Sequence, residues 1–383
     1  MAEPGFDVLK QIRTHIDRIN PVLPSQLALT VGQFAFKALR NPKRFNGIDT
    51  PTLLHILHRK EIDLKTVEIT PDPASTLMFD TVFEPHYWFD IHSYLDGNGE
   101  FSKSLDETIF DYHDEVVISG SLSDGVTAGV LPTLNSKLVR DKKNAVFLAV
   151  FPSMDYSSDA LFNAFSSLGL LLGAETGPII LLDNTRLSQF IGVNRGGGRL
   201  SNGDIVDFLI ELFLDKRGLI RDLVKQSNSF KVDIFTALMA AGASLEIYES
   251  LRNILDITLE QPLLDFDLST AQFVYVLVRA PLRLQHQLPK GYIELEVNSW
   301  LKDVANLNAP LICEPVYVEE YGDRIDVVVL VGGFETGHLF ETMDKRISRF
   351  STLIVEHELY EKEIWGKIRE TLLDNTQRKI EEF

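Results

Sequence analysis

The sequence predicts an α/β protein in which a parallel sheet is followed by a long helix, a second α+β region and a helical C-terminal extension. Three observations predict this class. Short apolar runs, such as residues 145–151 and 178–182, are typical of strands buried on both faces. They alternate with segments whose apolar residues recur every three or four positions, as in amphipathic helices. One such helical pattern runs unbroken over residues 201–226, and mixed strand and helix patterns follow it.

Length and charge limit the possible functions. The chain has 383 residues, which exceeds one average domain. Its 37 Lys and Arg against 55 Asp and Glu give a formal net charge of −18, a field that repels phosphate backbones and anionic membranes. We therefore expect no nucleic-acid partner.

Other features of the sequence indicate a cytoplasmic protein. No apolar run approaches the roughly 18 residues of a membrane span. The first residues show no basic region followed by an apolar one, as a secretion signal would. The single Cys313 cannot form an intramolecular disulfide, which fits a reducing compartment.

The first 200 residues predict alternating elements in the following order. An amphipathic helix over 6–19 ends before Pro21 and Pro24. A strand over 26–31 leads through a turn at Gly32 into a helix, and residues 40–110 give no clear pattern. Strands over 115–118, 145–151 and 178–182 then alternate with helices that begin near residue 131 and span 159–172. Repeated alternation of this kind favours a parallel sheet with helices on both faces.

The rest of the chain changes character after the central helix, which Ser201 or Asn202 is expected to cap. Residues 233–241 and 245–258 are predicted to be helical. Strands are predicted over 271–278, 311–317 and 325–330, and the pattern over 339–380 is again helical. Aromatic residues concentrated at 83–89 are expected in the core or at an interface.

Several motifs resemble segments of the tubulin/FtsZ superfamily, and they occur in the family's order. Residues 233–242 are similar to the segment just after the central helix, and residues 261–269 to the stretch written sPLL…idls. Residues 181–187 resemble the strand end whose Asn contacts the guanine base, with Asn163 suitably upstream. Residues 31–35 resemble the first nucleotide loop, which reads AGQCGNQ in tubulins.

This resemblance spans about residues 26 to 333 and implies a domain organisation. It implies a Rossmann-like, GTPase-like nucleotide-binding domain over 1–200 and a central connecting helix over 201–226. An FtsZ/tubulin-like C-terminal α+β domain would occupy 227–335, and a helical extension 336–383. The nucleotide-binding candidates that it implies are Gly32, Gln33, Gly125, Thr127, Gly129, Asn184 and Asp207.

The segment that corresponds to the family's phosphate-binding loop departs from the family sequence. That loop is of the type GGGTGSG, because glycine lets backbone amides converge on an anion. Residues 123–129 read SDGVTAG and keep only Gly125 and Gly129 of the five glycines. Asp124 would lie beside the phosphates, where like charges about 4 Å apart cost on the order of 4 kcal/mol at an effective dielectric of about 20. A bridging Mg²⁺ would reduce that cost. In the first loop, Ala35 and Phe36 replace the family's Gly and Asn.

The segment that corresponds to the catalytic loop is altered as well. Family members carry an NxDxxD pattern that reaches the nucleotide of the next subunit in a filament, so that hydrolysis is coupled to assembly. Residues 228–233 read NSFKVD, in which Asn228 and Asp233 match the pattern. Phe230 takes the first acidic position, and a phenyl ring neither accepts a proton nor coordinates water. The resemblance therefore implies slow or absent hydrolysis.

Two candidates for reading the guanine base have simpler alternatives. Asn184 follows a predicted strand, where Asp183 and Asn184 would equally cap a turn. Asp207 lies one turn into the central helix, where a carboxylate is favoured by the helix dipole alone.

Two other groups of residues are considered as ligand-binding positions. Arg195 and Arg199 flank a glycine-rich loop that would supply cations to a phosphate, or is simply a surface loop. His55 and His58 stand three apart on a predicted helix without a third ligand nearby, so no metal site is predicted.

The leading hypothesis is a divergent FtsZ-like protein of cytoskeletal or cell-division type with degenerate nucleotide-binding and catalytic loops. It would be a structural or regulatory subunit that binds no cofactor, or GTP/GDP weakly with Mg²⁺ only alongside the nucleotide. Its expected partners are copies of itself in a head-to-tail filament, tubulin/FtsZ-like relatives, or a protein bound by the C-terminal helices. Two alternatives remain: a working GTPase that polymerises, with Asp233 as its catalytic acid, and a monomeric binding module.

Overall fold

A single sheet organises the described part of the chain. The computed structural model describes residues 25–39, 52–61, 75–105, 113–174, 177–193, 198–319 and 322–374. Within these ranges the sheet has ten strands. They are β1 (Gln26–Val31), β2 (Thr52–His58), β3 (Thr76–Phe79), β4 (Glu115–Ser121), β5 (Asn144–Phe151), β6 (Ile179–Asp183), β7 (Ile234–Ser244), β8 (Phe273–Pro281), β9 (Leu311–Val318) and β10 (Arg324–Gly332).

The strand order is β3-β2-β1-β4-β5-β6-β7-β10-β8-β9. Strands β3 to β7 in this order are all parallel. Strand β10 is antiparallel to both β7 and β8, and β9 is parallel to β8. The predicted α/β class, with a parallel sheet followed by a mixed α+β region, is therefore confirmed.

The two parts of the sheet meet over a very short length. Strands β6 and β7 pair through only two residue pairs, Ile179 with Ile234 and Ile180 with Phe235. Beyond them, Leu263 lies between the two strands: its carbonyl accepts the N–H of Asp183 at 2.7 Å, and its own N–H donates to the carbonyl of Ala237 at 3.1 Å. The family-like segment 261–269 thus fills the place where the two strands separate.

Helices cover both faces of the sheet. They are α1 (Gly32–Ala38), α2 (Trp88–Gly97), α3 (Gly99–Leu105), α4 (Gly125–Arg140), α5 (Ser158–Gly173), α6 (Asn184–Gln189), α7 (Asn202–Leu214), α8 (Leu219–Phe230), α9 (Leu245–Tyr248), α10 (Leu251–Glu260), α11 (Lys290–Ala305), α12 (Gly337–Arg346), α13 (Ser348–His357) and α14 (Lys362–Asp374). One core lies between the sheet and α2, α4, α5 and α12 to α14. A second packs α7 and α8 on the opposite face, and a third packs α10 and α11 on the β7–β10 region. Among these helices, none is both long and apolar enough to cross a bilayer.

The segment predicted to be helical over 233–241 is strand β7, so that prediction is wrong. Its alanines, leucine and methionine favour a helix in isolation. Almost every residue of the strand is buried, because β7 lies between β6 and β10 in the middle of the sheet. Tertiary packing therefore overrides the local preference.

The central helix predicted over 201–226 is two helices, α7 and α8, separated by residues 215–218. Ser201 caps α7 in a reciprocal arrangement with Asp204, so Ser201 is the cap of the two proposed. Gly218 adopts a left-handed φ of +88° just before α8. A residue with a side chain rarely adopts that conformation, and the helix is interrupted there.

Side chains from distant strands hold this interruption in place. The buried carboxylate of Glu115 at the start of β4 accepts the N–H of Gly218 at 3.1 Å and the side-chain amide of Gln26 at 3.2 Å. Lys216 Nζ donates to Glu314 of β9 at 2.6 Å. Glu115 thereby provides a negative group at the N-terminus of α8, which has no side-chain cap of its own.

Other local predictions also changed. Helix α4 begins at Gly125 and not near residue 131, so Pro132 lies inside it. The segment that holds His55 and His58 is strand β2, not a helix. Helix α11 was not predicted. The predicted helix over 6–19 and the centre of the loop with Arg195 lie outside the described residues.

Candidate functional site

The carboxyl ends of β1, β4 and β6 bring most of the nucleotide-binding candidates to one edge of the sheet. Parallel strands end on the same side, and ligands of open α/β sheets bind there. Gly32 and Gln33 begin α1 directly after β1, and Asn184 begins α6 directly after β6. The other candidates at this edge lie in the first two turns of α4, after β4, and are Gly125, Thr127 and Gly129.

The other candidates lie elsewhere. Asp207 is in the second turn of α7, whose first turn packs against Ala38 at the end of α1. Asn228 and Phe230 are in the last turn of α8, and Asp233 immediately precedes β7. The carbonyl of Asp233 accepts the N–H of Ile179, the first residue of β6, at 2.8 Å. The predicted catalytic residues therefore lie at the opposite end of β6 from Asn184.

The first turns of α1 and α4 are packed tightly against each other. Gly32 has a φ of +76°, and a Cβ on it would overlap the hydroxyl of Thr127. That hydroxyl donates to the carbonyl of Val31 at 3.3 Å. Gly32 and Thr127 thus have a structural role between the two helices.

The carboxylate of Asp124 caps α4. Its Oδ1 accepts the N–H of Thr127 at 2.6 Å, and its carbonyl accepts the N–H of Ala128 at 3.1 Å. The N-terminus of a helix attracts anions such as phosphate because free N–H groups and the positive end of the dipole meet there. In this chain a carboxylate of the protein itself takes that position.

Burial raises the pKa of the Asp124 carboxyl to about 6. The N–H groups of Thr127 and Val126 and the hydroxyl of Thr127 act in the opposite direction, because they stabilise the charged form. Burial has the larger effect. Asp124 is therefore ionised at neutral pH, at a cost in folding free energy.

Backbone packing accounts for the two glycines kept from the phosphate-loop pattern. A Cβ on Gly125 would lie 2.7 Å from the carbonyl oxygen of His86. A Cβ on Gly129 would overlap the carbonyl oxygen of Trp88. Residues 86–88 thus run directly over the first two turns of α4.

Asn163 of α5, predicted as part of the nucleotide region, fixes this backbone. Its Nδ2 donates to the carbonyl of His86 at 3.1 Å, and its Oδ1 accepts the N–H of Trp88 at 2.9 Å. Both hydrogen-bonding ends of this buried amide are used within the chain.

The strand end at Asn184 forms a polar cluster. Oδ1 of Asp183 accepts the N–H groups of Thr185 at 2.7 Å and Arg186 at 3.0 Å, which is the capping role considered from the sequence. Ser153, after β5, donates to the same carboxylate at 3.0 Å. Nδ2 of Asn184 donates to the hydroxyl of Tyr156 at 2.5 Å.

Tyr156 and Ser153 were not predicted to belong to this edge. They lie in the turn after β5, and β5 pairs with β6 in the sheet. The only signal in the sequence was their position after a predicted buried strand.

Phe230 packs as an aromatic residue. Its ring stacks on that of Phe273 in β8, with ring centroids 4.6 Å apart and an angle of 20° between the planes. The carbonyl of Asn228 accepts the N–H of Lys231 at 3.4 Å, which closes the end of α8. The segment with the NSFKVD sequence thus connects α8 to β7 and packs on β8.

His55 and His58 bind other side chains of the β1–β3 region. Nδ1 of His55 lies 2.5 Å from the hydroxyl of Thr30, and Nε2 of His58 lies 2.9 Å from that of Thr81. Burial lowers the pKa of His55 to about 4, so this ring is neutral at pH 7. In the described ranges, no cluster of three or more His, Cys, Asp or Glu side chains is arranged to hold a metal ion.

Replacing Asp124 by asparagine should increase stability at pH 7.5. Asparagine caps a helix as well as aspartate does but carries no charge in this partly buried position. The pKa of Asp124 is about 6 in the folded protein, against 3.8 for an ordinary carboxyl. The contribution of its protonated form to folding stability is therefore fully present below pH 3.8 and is lost as pH rises through 6. The difference of about 2 pKa units corresponds to roughly 3 kcal/mol. Urea unfolding at pH 4 and 7.5 measures the gain.

The comparison of the two proteins isolates Asp124. His55 is present in both and has the opposite dependence, since its lowered pKa reduces stability as pH falls from 6.5 towards 4. A gain of the same size at both pH values would contradict the role given to Asp124.

Solved structures similar to this chain have the tubulin/FtsZ superfamily fold. CetZ from Methanosaeta thermophila strain DSM 6194 aligns with a TM-score of 0.65 and 17% identity, over 92% of this chain and 99% of that chain. The GTPγS-bound protofilament of CetZ2 from Haloferax volcanii aligns with a TM-score of 0.61 and 16% identity, over 85% and 99%. An empty FtsZ dimer from M. jannaschii aligns with a TM-score of 0.59 and 14% identity, over 84% and 92%.

No protein-family model matches the sequence, and a search of curated proteins found no match. At identities this low, the structural comparisons establish the fold of this chain, that of the tubulin/FtsZ superfamily.

Proposed function

We propose that this chain is a tubulin/FtsZ-like structural or regulatory subunit of cytoskeletal type whose folding and assembly do not require bound nucleotide. The observation that carries the proposal is the carboxylate of Asp124 at the N-terminus of α4, where a phosphate of the nucleotide would bind. The proposal keeps the division into a GTPase-like domain (1–200), a connecting helical segment (201–226), a C-terminal α+β domain (227–335) and a helical extension (336–383).

The other candidate contacts support the same proposal. The hydroxyl of Thr127 is hydrogen-bonded to Val31, and the amide of Asn184 to Tyr156. A nucleotide would have to displace these internal hydrogen bonds. It would also bring phosphate charge to within about 4 Å of Asp124, at a cost on the order of 4 kcal/mol or roughly a thousandfold in affinity.

Impaired hydrolysis is part of the proposal. Phe230 stands where the family pattern has its first acidic residue, and it stacks on Phe273. A general base has to reach the attacking water with a group that accepts a proton. Of the two acidic positions in the family's NxDxxD pattern, only the second, Asp233, retains such a group.

Head-to-tail self-association is supported by exposed apolar residues far from the candidate site. Ile247, Leu282 and Leu295 are 75%, 46% and 67% exposed. Ile247 and Leu282 are next in sequence to residues that line a cleft of about 310 Å³, and Leu295 lies one turn of α11 after Tyr292, which also lines it. We call these three residues the apolar rim, because exposed apolar side chains grouped near one cleft are typical of interaction sites.

Two hydrogen bonds support a location of this apolar rim nearer the start of β4 than its end. Arg279, near the end of β8, binds Asp215, and Gly218 shortly after it binds Glu115 at the start of β4. The candidate site is at the other end of β4. A contact between opposite poles of two copies is heterologous and extends into a filament unless it closes on itself. A protein partner of the C-terminal helices would have to use their outward faces.

Titration with GTP, with and without Mg²⁺, tests nucleotide independence, using the wild type and Asp124→Gly. We expect no saturable binding to the wild type and measurable binding to Asp124→Gly, because the competing charge, which costs roughly a thousandfold in affinity, is removed. Stoichiometric GTP bound to the purified wild type, with turnover that Asp233→Ala abolishes, would instead establish the GTPase alternative.

Replacing Leu295 by glutamate should abolish self-association, because it places a charge in the apolar rim. Analytical ultracentrifugation over a range of protein concentrations measures this. Val355→Glu is the matched control, since Val355 is also exposed but lies on α13. A wild type that stays monomeric at the highest concentration would favour the monomeric binding module.

A further inference from the structure

The C-terminal helices contact the start of α4 indirectly, through residues 86–89, which we call the strap. The strap backbone runs over Gly125 and Gly129, as the close approach of the His86 and Trp88 carbonyls shows. This part of α4 holds the N–H groups at which a polyphosphate would bind. The strap therefore lies along the first two turns of α4, next to the position that Asp124 caps.

Three strap side chains, Tyr87, Trp88 and Phe89, contact the C-terminal segment 350–360. The Trp88 ring meets that of Tyr360 with centroids 4.8 Å apart, and the Phe89 ring stacks on the same Tyr360 at 5.3 Å. Tyr87 lies edge to face against Phe350 of α13, at 5.7 Å. Each aromatic residue of the strap thus has a partner in the segment 350–360.

A polar bridge adds to these ring contacts. The hydroxyl of Tyr87 donates to Oδ1 of Asp159 at 3.1 Å, and Arg349 donates to the same oxygen at 2.8 Å. Arg349 belongs to α13 and Asp159 to α5. The strap is therefore held by α5 on one side and by the C-terminal helices on the other.

The contact region also contains polar groups that lack partners. The indole N–H groups of Trp88 and Trp365 are fully buried and have no hydrogen-bond acceptor among the described residues. An unsatisfied buried donor destabilises the docked arrangement. Separation of the C-terminal helices from the strap would return the two N–H groups to water, so it is less costly than the buried aromatic area alone suggests.

We infer that the C-terminal helices regulate access to the start of α4 by holding the strap closed over it. The inference rests on the proposed function, because it names what opens the same site. When α13 and α14 are docked, the strap backbone occupies the space in front of Gly125 and Gly129. Release of these helices removes the contacts of Tyr87, Trp88 and Phe89 with Phe350 and Tyr360. Helix α5 alone then holds the strap, which separates from α4 more often. The two arrangements form a two-state element whose balance the C-terminal helices set.

Hydrogen exchange of the full-length chain tests the coupling without any ligand. Tyr360→Ala removes the ring that contacts both Trp88 and Phe89. We expect the amides of 86–89 to exchange about tenfold faster or more, while those of β8 and α11 stay unchanged. Leu353→Ala, an exposed position on α13, is the control and should have no effect. Faster exchange in α13 and α14 with an unchanged strap would overturn the inference.

Arg349→Gln gives a second route in case Tyr360→Ala unfolds the chain. It breaks the bridge through Asp159 to Tyr87 and the contact of Arg349 with the Phe350 ring, and the same strap amides should exchange faster. Suppose that Tyr360→Ala is unfolded and Arg349→Gln is folded. Unchanged exchange rates of the strap amides in Arg349→Gln would then reject the coupling.

Binding of inorganic tripolyphosphate separates this inference from the proposed function. In an Asp124→Gly background, adding Tyr360→Ala should raise the affinity for tripolyphosphate about tenfold or more, because the strap no longer covers α4. Equal affinity in the presence and absence of Tyr360→Ala would overturn the inference. Tight GTP binding to the wild type would reject the proposed function. The hydrogen-exchange experiment would still decide whether the C-terminal helices are coupled to the strap.

Discussion

Replacing Arg279 by alanine should lower the free energy of unfolding by about 3–5 kcal/mol, the range found when one partner of a buried ion pair is removed. Only 2% of this side chain is exposed, and it lies in β8 in the middle of the mixed region of the sheet. Nε donates to Asp326 at 2.8 Å, and Nη1 donates to Asp215 at 2.6 Å. The alanine would leave these carboxylates without their cation.

The surroundings of Arg279 show why the charge is retained. Burial alone would lower the pKa of its guanidinium, but Asp326, Asp215 and Glu211 outweigh burial and raise it. Asp326 also accepts the N–H of Gly242 at 2.7 Å, so the backbone of β7 belongs to the same network. Loss of the arginine therefore disturbs α7, β7, β8 and β10 together.

Urea unfolding of Arg279→Ala measures the loss, with the midpoint and slope compared with those of the wild type. Arg59→Ala is the matched control, because Arg59 is 71% exposed and forms a long ion pair with Asp80, at 3.9 Å. An exposed pair contributes about 0–1 kcal/mol. A loss below about 1 kcal/mol for Arg279→Ala would show that the network is not important for stability.

Replacing Phe162 by alanine should cost about 3–5 kcal/mol, as expected for a fully buried aromatic residue. Its ring lies on that of Phe350 with centroids 4.1 Å apart and planes inclined by only 7°. Trp365 packs against the same ring at 5.5 Å. Phe162 is thus the main residue of α5 on which the C-terminal helices dock.

Phe83→Ala provides a matched control, since the ring of Phe83 is 40% exposed and should cost no more than about 1 kcal/mol. A double-mutant cycle between Phe162 and Phe350 measures the pair directly. The expected coupling free energy is about 0.5–1.5 kcal/mol, the range for aromatic pairs. A value near zero would mean that α13 is held on the body by other contacts.

The sequence predicted β1, β4, β5 and β6 because burial on both faces leaves a pattern that local reading detects, whereas β2 and β3 lie in residues 40–110, where no pattern was found. Strand β5 begins one residue earlier than predicted and ends as predicted, and β6 is shifted by one residue at each end. The same reading failed at β7, whose alanines, leucine and methionine suit a helix when their neighbours in the sheet are unknown.

Two boundaries were missed for related physical reasons. The amphipathic period continues from α7 into α8, so only the left-handed Gly218 and its distant partner Glu115 mark the interruption. The small residues over 119–129 suggested a loop, so the helix was expected to begin near residue 131. Helix α4 begins six residues earlier, at Gly125, and is capped by Asp124.

The edge that holds the candidate site followed from the order of the elements. Its chemistry did not follow, since it depends on contacts between residues far apart in sequence. Three such contacts join separate segments. The carbonyl of His86 covers Gly125, and the amide of Asn163 holds that carbonyl. The third contact is the hydrogen bond between Tyr156 and Asn184. A loop motif alone therefore did not show that its glycines and amides are used inside the chain.

The two residue pairs between β6 and β7 have a mechanical consequence. A peptide ladder this short resists bending weakly, so the angle between the two parts of the sheet depends on the core that they share under α7 and α8 and on the bonds of residues 215–218. Among these, the link from Lys216 to Glu314 is partly exposed and weakens as ionic strength rises, whereas that from Asp215 to Arg279 is largely shielded from salt. The hinge angle should therefore be nearly constant over a wide range of salt concentration, which favours a rigid repeating unit over a flexible one.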